Sequence, residues 1–263
     1  MIDLHAHIIP KVDDGASSYE EALQMLKKAE SYGVEKIVAT PHLYRTFSKF
    51  KNFQEIKDKF HKLKQLASNK NLKIEIFLGA EVYFTSEILD HLKNSPDFLT
   101  LNNSSYILIE FSNEFLPPKL NSIFFDIMTE GFIPIIAHPE RNRVLQRHPK
   151  ILYELVVEGA LAQLNAGSLL GFYGELEKEA ANIFIKHNLV HVIASDAHNG
   201  TDRFPDLDLL IKNLSRKIDE EKIQFLIHHI PESILKNEGV PDLGEYTLPK
   251  EKSLFHIFRR FKH

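Results

Sequence analysis

Short apolar runs that end in a histidine or a carboxylate recur along this chain, and they constrain its fold more than any other feature. The runs span Met1–His7, Ile37–His42, Ile76–Glu81, Tyr106–Glu110, Ile133–His138 and Val192–His198. Brief, nearly continuous apolar stretches are the signature of strands buried on both faces of a parallel sheet. In a barrel of such strands the C-terminal ends converge on one mouth, where active sites are built. Metal-type ligands at so many strand ends point to one shared centre, and hence to a metal-dependent enzyme.

Between the runs lie helical patterns. Ser18 and Glu21 have capping-box spacing, Ala22, Leu26 and Ala29 follow on one face, and Gly33 marks a stop. Phe53, Ile56, Phe60 and Leu63 form one stripe of an amphipathic helix over 52–68. Segments 85–94, 119–130, 149–158, 175–188 and 205–236 also read as helical, with Gly131 and Gly159 ending two of them. This alternation implies a parallel sheet covered by helices. Seven strands are expected, near 2–5, 36–41, 73–81, 105–110, 133–137, 160–166 and 190–195. Seven is one short of the usual closure, so the expected class is α/β, a distorted seven-stranded (β/α)7 TIM-like barrel. Segment 160–166 is the strand that ends without an evident ligand.

The barrel domain is placed at 1–240, and 241–263 is set apart as a loose C-terminal tail whose end is basic and aromatic. Such a tail suits docking on an anionic membrane surface or a partner. The alternative is a terminal helix laying Leu254, Ile257 and Phe258 against the barrel. The rest of the composition mainly excludes. Cysteine is absent, which removes disulfides, thiolate metal sites and cysteine nucleophiles. A formal net charge of −4 disfavours nucleic-acid binding. No apolar run is long enough for a bilayer, and the first strand begins at Ile2 with acidic Asp3, so no secretory leader is expected. The expected location is the cytoplasm, with peripheral attachment at the inner membrane face as an extension.

His5 and His7 sit on the same side of the first strand, because alternate strand residues do. Asp13-Asp14-Gly15 has turn chemistry, and Asp14 is taken as the acid that curls back over the mouth as an oxygen ligand, with Asp13 the alternative. His42 follows a proline that fits a strand terminus. Glu81 and Glu110 each follow an apolar run, where a carboxylate is costly to bury unless paired or metal-bound. His138, Asp196 and His198 complete a set of nine. A tetrahedral ion needs about four ligands, so nine argue for two or three ions sharing bridging carboxylates. Imidazole and oxygen donors without thiolate suit manganese, iron or zinc. Arg141 and Arg203 lie just beyond ligand strands, and guanidinium forks match phosphate oxygens. Tyr44 and Arg45, just past His42, are further candidates for gripping substrate, and Arg143 is expected to be solvated.

Taken together, Met1-Ile-Asp-Leu-His-Ala-His7, Val12-Asp-Asp-Gly15, Ala39-Thr-Pro-His42, Leu108-Ile-Glu-Phe111, Ala137-His-Pro-Glu-Arg141 and Ala194-Ser-Asp-Ala-His-Asn199 resemble the PHP (polymerase and histidinol phosphatase) superfamily. Within it they are similar to the bacterial metal-dependent tyrosine-protein phosphatases of capsule and exopolysaccharide clusters, the CpsB/CapC/YwqE type. The resemblance implies the PHP fold, a barrel of seven β/α units with three divalent metal ions, often manganese. It implies hydrolysis of phosphotyrosine on the tail of a bacterial tyrosine kinase that controls polysaccharide export. Carried across, His5, His7, Glu81 and Asp196 would hold one ion. Glu81, Glu110 and His138 would hold a second, and Asp14, His42 and His198 a third. Arg141 and Arg203 match the phosphate-gripping arginines. The rival readings are a PHP phosphatase of histidinol phosphate or a sugar phosphate, a metal-dependent amidohydrolase, and a non-catalytic scaffold of an export complex. An amidohydrolase usually carries a bridging lysine where this chain has Glu110.

Overall fold

The structure is a computed structural model that describes residues 1–45 and 52–250. Among the described residues nine strands form in chain order: β1 (Ile2–Ala6), β2 (Lys36–Ala39), β3 (His42–Leu43), β4 (Glu75–Leu78), β5 (Glu81–Tyr83), β6 (Tyr106–Glu110), β7 (Ile133–Ala137), β8 (Leu161–Asn165) and β9 (Val192–Ala194). They make two parallel sheets, β1-β2-β4 and β3-β5-β6-β7-β8-β9.

The strand count corrects the expected seven, and the reason is local. The expected strand 36–41 breaks at Thr40-Pro41, since proline brings no N–H to a ladder. The expected strand 73–81 breaks beside it at Gly79-Ala80. Gly79 is pressed so close to its neighbours that a Cβ there would lie 2.8 Å from Leu101 Cδ2 and 3.1 Å from Val38 Cγ1. Backbone bonds still cross both breaks, Gly79 N donating to Ala39 O (2.9 Å) and Glu81 N to Pro41 O (3.2 Å). Each broken segment therefore belongs to one sheet before its break and to the other after it.

No continuous closed sheet forms among the described residues. The open seam between β1 and β9 is spanned by a single bridge, Ala6 to Ala197. His7 N donates to Ala197 O (2.8 Å) and Asp196 N to His5 O (2.9 Å). The buried Asp3 side chain accepts from Ser195 N (3.0 Å). The seam thus ties two ligand-bearing strand ends together directly.

The helices follow their expected signals with small shifts. Ser18 accepts from Glu21 N (3.2 Å) at the start of Tyr19–Ser31, while the Glu21 carboxylate reaches back to Ser17 N (2.8 Å). Asn52 caps Phe53–Asn69 through Glu55 N (3.0 Å). The expected helical stretch 205–236 divides into Leu207–Leu214, Glu220–Gln224, a π-helical turn Phe225–His229, and Ile230–Leu235. Pro231 lacks the N–H that would continue regular bonding across that turn. No helix among the described residues is long and apolar enough to cross a membrane.

The strands are buried on both faces, as parallel sheets are. Leu108, Ile135, Leu161 and Val192 pack in one apolar cluster with Ile230 and Ile234 of the last helix. Ile107, Ile109, Ile136, Leu164 and Ile193 pack in another with Phe124, Leu152 and Phe184 from the helices. With both faces of β6 to β9 committed to apolar packing, the polar residues collect at the strands' C-terminal ends.

Residues 239–250 form no helix or strand. Thr247 N nevertheless donates to His187 O (3.2 Å), Asn188 Nδ2 to Glu245 O (3.0 Å), and Tyr246 OH lies 3.2 Å from His191 Nε2. The basic stretch 251–263, to which a docking role is assigned above, lies outside the described residues.

His191 carries a prediction. Burial lowers its pKa to about 4, against about 6.5 in an unfolded chain. Between those values the unfolded state binds the extra proton. Stability is therefore full above about pH 6.5 and falls as pH drops toward 4, by up to about 3 kcal/mol. His191→Asn, whose Oδ1 can replace Nδ1 as acceptor for Ala162 N, should flatten the fall of Tm between pH 7 and pH 4.5. Equal slopes in the two proteins would contradict this.

Candidate metal centre

The centre starts from a packing constraint. At Gly15 a Cβ would stand 2.2 Å from His7 O and 2.5 Å from His7 Cβ, so the chain can fold back on His7 only because this residue has no side chain. Ala16 N then donates to His7 O (2.9 Å). The fold-back separates the roles of the two adjacent aspartates. Asp13 is buried, accepts from His42 N (3.0 Å), and lies 2.8 Å from His7 Nδ1. Asp14 faces the mouth, its Oδ1 3.5 Å from both His42 Nε2 and His198 Nε2.

Glu81 sits at the middle. It opens β5 after the Gly79-Ala80 break and is fully buried. Its Oε2 lies 2.7 Å from His42 Nδ1, 3.3 Å from His5 Nε2 and 3.4 Å from His7 Nε2, and its Oε1 lies 2.8 Å from His138 Nε2. Glu110, at the end of β6, stands 3.5 Å from His42 Nδ1 and 3.7 Å from His138 Nε2. Asp196 Oδ1 lies 3.4 Å from each of His5 and His7 Nε2. His198 stacks on His7 at 3.9 Å between ring centroids. His138 (φ 31°) and Asp196 (φ 52°) both occupy left-handed backbone at the ends of their strands. Aspartate and histidine are among the residue types other than glycine that adopt this conformation most readily.

All nine residues singled out in the sequence converge here. Donor atoms lie within 4.8 Å of one another in three groups: His7, Asp14, His42 and His198; His5, His7 and Glu81; His42, Glu81 and Glu110. The grouping differs in detail from the one implied by resemblance. His7 joins the third group, His42 stands with Glu81 and Glu110, and Asp196 and His138 fall in none of the three, reaching the centre through His5, His7 and Glu81.

A test of fit to cations comes from the imidazoles. Gln163 Nε2 donates to Leu164 O (2.8 Å), so its Oε1 faces His5 Nδ1 (2.8 Å), and a neutral His5 carries its proton on Nδ1. Asp13 imposes the same tautomer on His7. The two Nε2 lone pairs then meet 3.1 Å apart, an arrangement that requires positive charge between or beside them. The titration behaviour expresses the same demand. Burial opposes charge on His5, yet Glu81 and Asp196 raise its pKa to about 9. Burial likewise opposes ionisation of Glu81, yet His42 and His5 hold it well below the carboxylate range. Divalent cations would supply that charge and release the protons, and the buried nitrogen and oxygen donors fit them.

Three arginines face the carboxylates. Arg203 Nη1 donates to Asp14 Oδ2 (2.9 Å), Arg141 Nη1 to Asp196 Oδ2 (3.2 Å), and Arg45 pairs with Glu110 through Nε (2.6 Å) and Nη2. Arg143 is not freely solvated as expected: it bonds Gln146 Oε1 (3.1 Å) and Glu177 Oε1 (3.0 Å). Tyr44 stacks on His91 (4.2 Å).

Sequence reasoning missed the residues that aim the donors. Gln163 and Asn165 come from β8, the strand without an evident ligand, and Asn165 Nδ2 donates to Asp196 Oδ2 (2.5 Å). Their alternate spacing at a strand end repeats that of His5 and His7, a signal that could have found them.

Comparison with known proteins places the chain in a family. The model of the family described as capsular polysaccharide synthesis, CpsB/CapC, matches residues 1–236. The Staphylococcus aureus protein CapC is 39% identical over 253 residues, covering 96% of this chain and 92% of its own. The tyrosine-protein phosphatase YwqE of Bacillus subtilis is 32% identical over 241 residues, covering 91% and 93%. A solved chain from the structures of YwqE from Bacillus subtilis and CpsB from Streptococcus pneumoniae, described as metal-dependent tyrosine phosphatases, superposes with a TM-score of 0.87 at 31% identity. It covers 94% of this chain and 100% of that one. A histidinol phosphate phosphatase from Lactococcus lactis reaches a TM-score of 0.53 at 16% identity, covering 86% and 95%, which shows a shared fold alone.

Proposed function

Since this chain belongs to the CpsB/CapC family of capsular polysaccharide synthesis, we propose that it is a metal-dependent phosphotyrosine-protein phosphatase. Its substrate in this reading is the phosphorylated tail of a bacterial tyrosine kinase that controls capsule or exopolysaccharide assembly, in the cytoplasm. The two sheets are read as one distorted barrel of seven β/α units over 1–240, joined at the β1–β9 seam. Of the tail 241–263, the basic stretch 251–263 is read as the part that docks to a partner or the inner membrane face, since residues 245–247 bond to His187, Asn188 and His191. The carrying observation is the convergence of seven clustered donors, with Asp196 and His138 in contact with them, and of arginines on their carboxylates.

In this reading the nine donors hold three divalent ions, manganese by preference over iron or zinc. His5, His7, Glu81 and Asp196 would hold one. Glu81, Glu110 and His138 would hold a second, with His42 Nδ1 beside them, and Asp14, His42 and His198 a third. Bound ions supply Lewis acidity and lower the pKa of water toward neutrality. The protein's own part is electrostatic and positional. Arg141 and Arg203 present guanidinium forks to the phosphoryl oxygens, where negative charge grows in the transition state. Gln163, Asp13 and the Asp196 carbonyl fix the tautomers of His5, His7 and His198, so each directs Nε2 into the centre. A phenolate leaving group, with a pKa of about 10, departs without a strong general acid.

The experiment is turnover of a phosphotyrosyl peptide against histidinol phosphate, with metal content measured on the same sample. Preference for the peptide by a metal-containing protein is expected. Preference for histidinol phosphate would move the chain to a small-molecule phosphatase, and equal activity after complete metal removal would end the metal reading.

A further inference from the structure

The turn Gly171-Phe172-Tyr173-Gly174 touches the centre without contributing a donor to it. It is built for close approach. Gly171 (φ 87°) and Gly174 (φ 118°) take left-handed conformations on either side of the two aromatics. Phe172 N donates to Gly167 O (2.9 Å). At Gly167 a Cβ would stand 3.0 Å from Tyr173 Cε2 and 3.3 Å from Phe172 Cδ2, so the turn lies flush on the short helix Ala166–Leu170. Phe172 is left half exposed, while Tyr173 is turned inward.

The Tyr173 ring lies under Arg141, with the guanidinium carbon 4.4 Å from the ring centroid. Its hydroxyl is 3.5 Å from Asn165 Nδ2, the same group that holds Asp196 Oδ2. Arg141 is thus held twice. Asp196 takes one N–H in the guanidinium plane, and Tyr173 takes the face. A ring on the face consumes no donor, so the remaining in-plane N–H groups stay available. A free arginine side chain carries large rotamer entropy, which would otherwise be lost on binding an anion.

We propose that Tyr173 is a positioning residue that pre-sets Arg141 for the substrate's phosphoryl group. The proposal rests on the phosphatase reading above. It assigns the function to the aromatic face and gives the hydroxyl a minor part.

The test uses the metal-loaded full chain as wild type, Tyr173→Phe and Tyr173→Leu. Three quantities are measured on each: kcat and KM for a phosphotyrosyl peptide, the Kd of inorganic phosphate by calorimetry, and bound metal. Tyr173→Leu should lower kcat/KM and raise the phosphate Kd by about 5- to 10-fold, within the range of one cation–π contact, with bound metal little changed. Tyr173→Phe should stay within about twofold of wild type, because the ring is kept. Unchanged phosphate affinity in Tyr173→Leu would overturn the proposal, as would a loss in Tyr173→Phe equal to that in Tyr173→Leu. Those results leave a phosphate-binding, active wild type and so spare the phosphatase reading. A wild type that neither binds phosphate nor cleaves the peptide would remove both together.

Discussion

Glu81→Gln is expected to strip most metal from the purified protein and to lower kcat/KM for a phosphotyrosyl peptide by about 10³-fold or more, the equivalent of about 4 kcal/mol. The expectation follows from where the two carboxylate oxygens lie. Oε2 stands within 3.4 Å of a nitrogen on each of His5, His7 and His42, and Oε1 stands 2.8 Å from His138. One side chain therefore borders two of the donor groups at once, and no other carboxylate in them does so. Glutamine keeps the volume but loses the charge that balances buried imidazoles and would balance shared cations. Its amide N–H groups would also point at imidazole lone pairs.

A folding defect is separable from this effect. Glu81 opens a strand whose pairing uses backbone groups alone, so the variant should keep its secondary structure. Circular dichroism with metal analysis and kinetics on one preparation decides the matter. Wild-type metal content together with near wild-type turnover in a folded Glu81→Gln protein would sink the assignment.

The strand ends were legible in the sequence because two physical demands coincide there. Buried parallel strands must be apolar, and a carboxylate or imidazole placed directly after such a run needs a partner. This located His5, Glu110, His138 and Asp196 at once. The interruptions at Thr40-Pro41 and Gly79-Ala80 were less legible. Pro41 gave a reason to end one strand, but the crowding of Gly79 against Leu101 and Val38 depends on residues that only the fold brings together. The same holds for the division between Asp13 and Asp14. Adjacent acids in a turn look alike in sequence, and the close packing of Gly15 on His7 sends one inward and the other to the mouth. Gln163, Asn165 and Tyr173 act through other side chains, so neither charge nor ligand chemistry marked them.

Arg141→Ala should lower kcat/KM by about 10²- to 10³-fold, the usual consequence of removing one donor aimed at developing charge, while leaving bound metal near its wild-type level. The two halves of the prediction come from different contacts. Arg141 supplies no metal-type donor, and Asp196 keeps its hydrogen bond from Asn165 and its closeness to His5 and His7 when the guanidinium is gone. The donors should therefore still converge. What is lost is a planar fork held between Asp196 and the face of Tyr173. Arg141→Lys restores a positive charge but neither the fork nor its stacking, so it should recover only part of the rate. This pattern separates a substrate-gripping arginine from a merely structural ion pair. If Arg141→Ala lost its metal in proportion to its activity, Arg141 would be a support for Asp196 and nothing more. If Arg141→Lys matched wild type in kcat and KM, charge alone would suffice, and the fork geometry would have no part in binding the phosphoryl group.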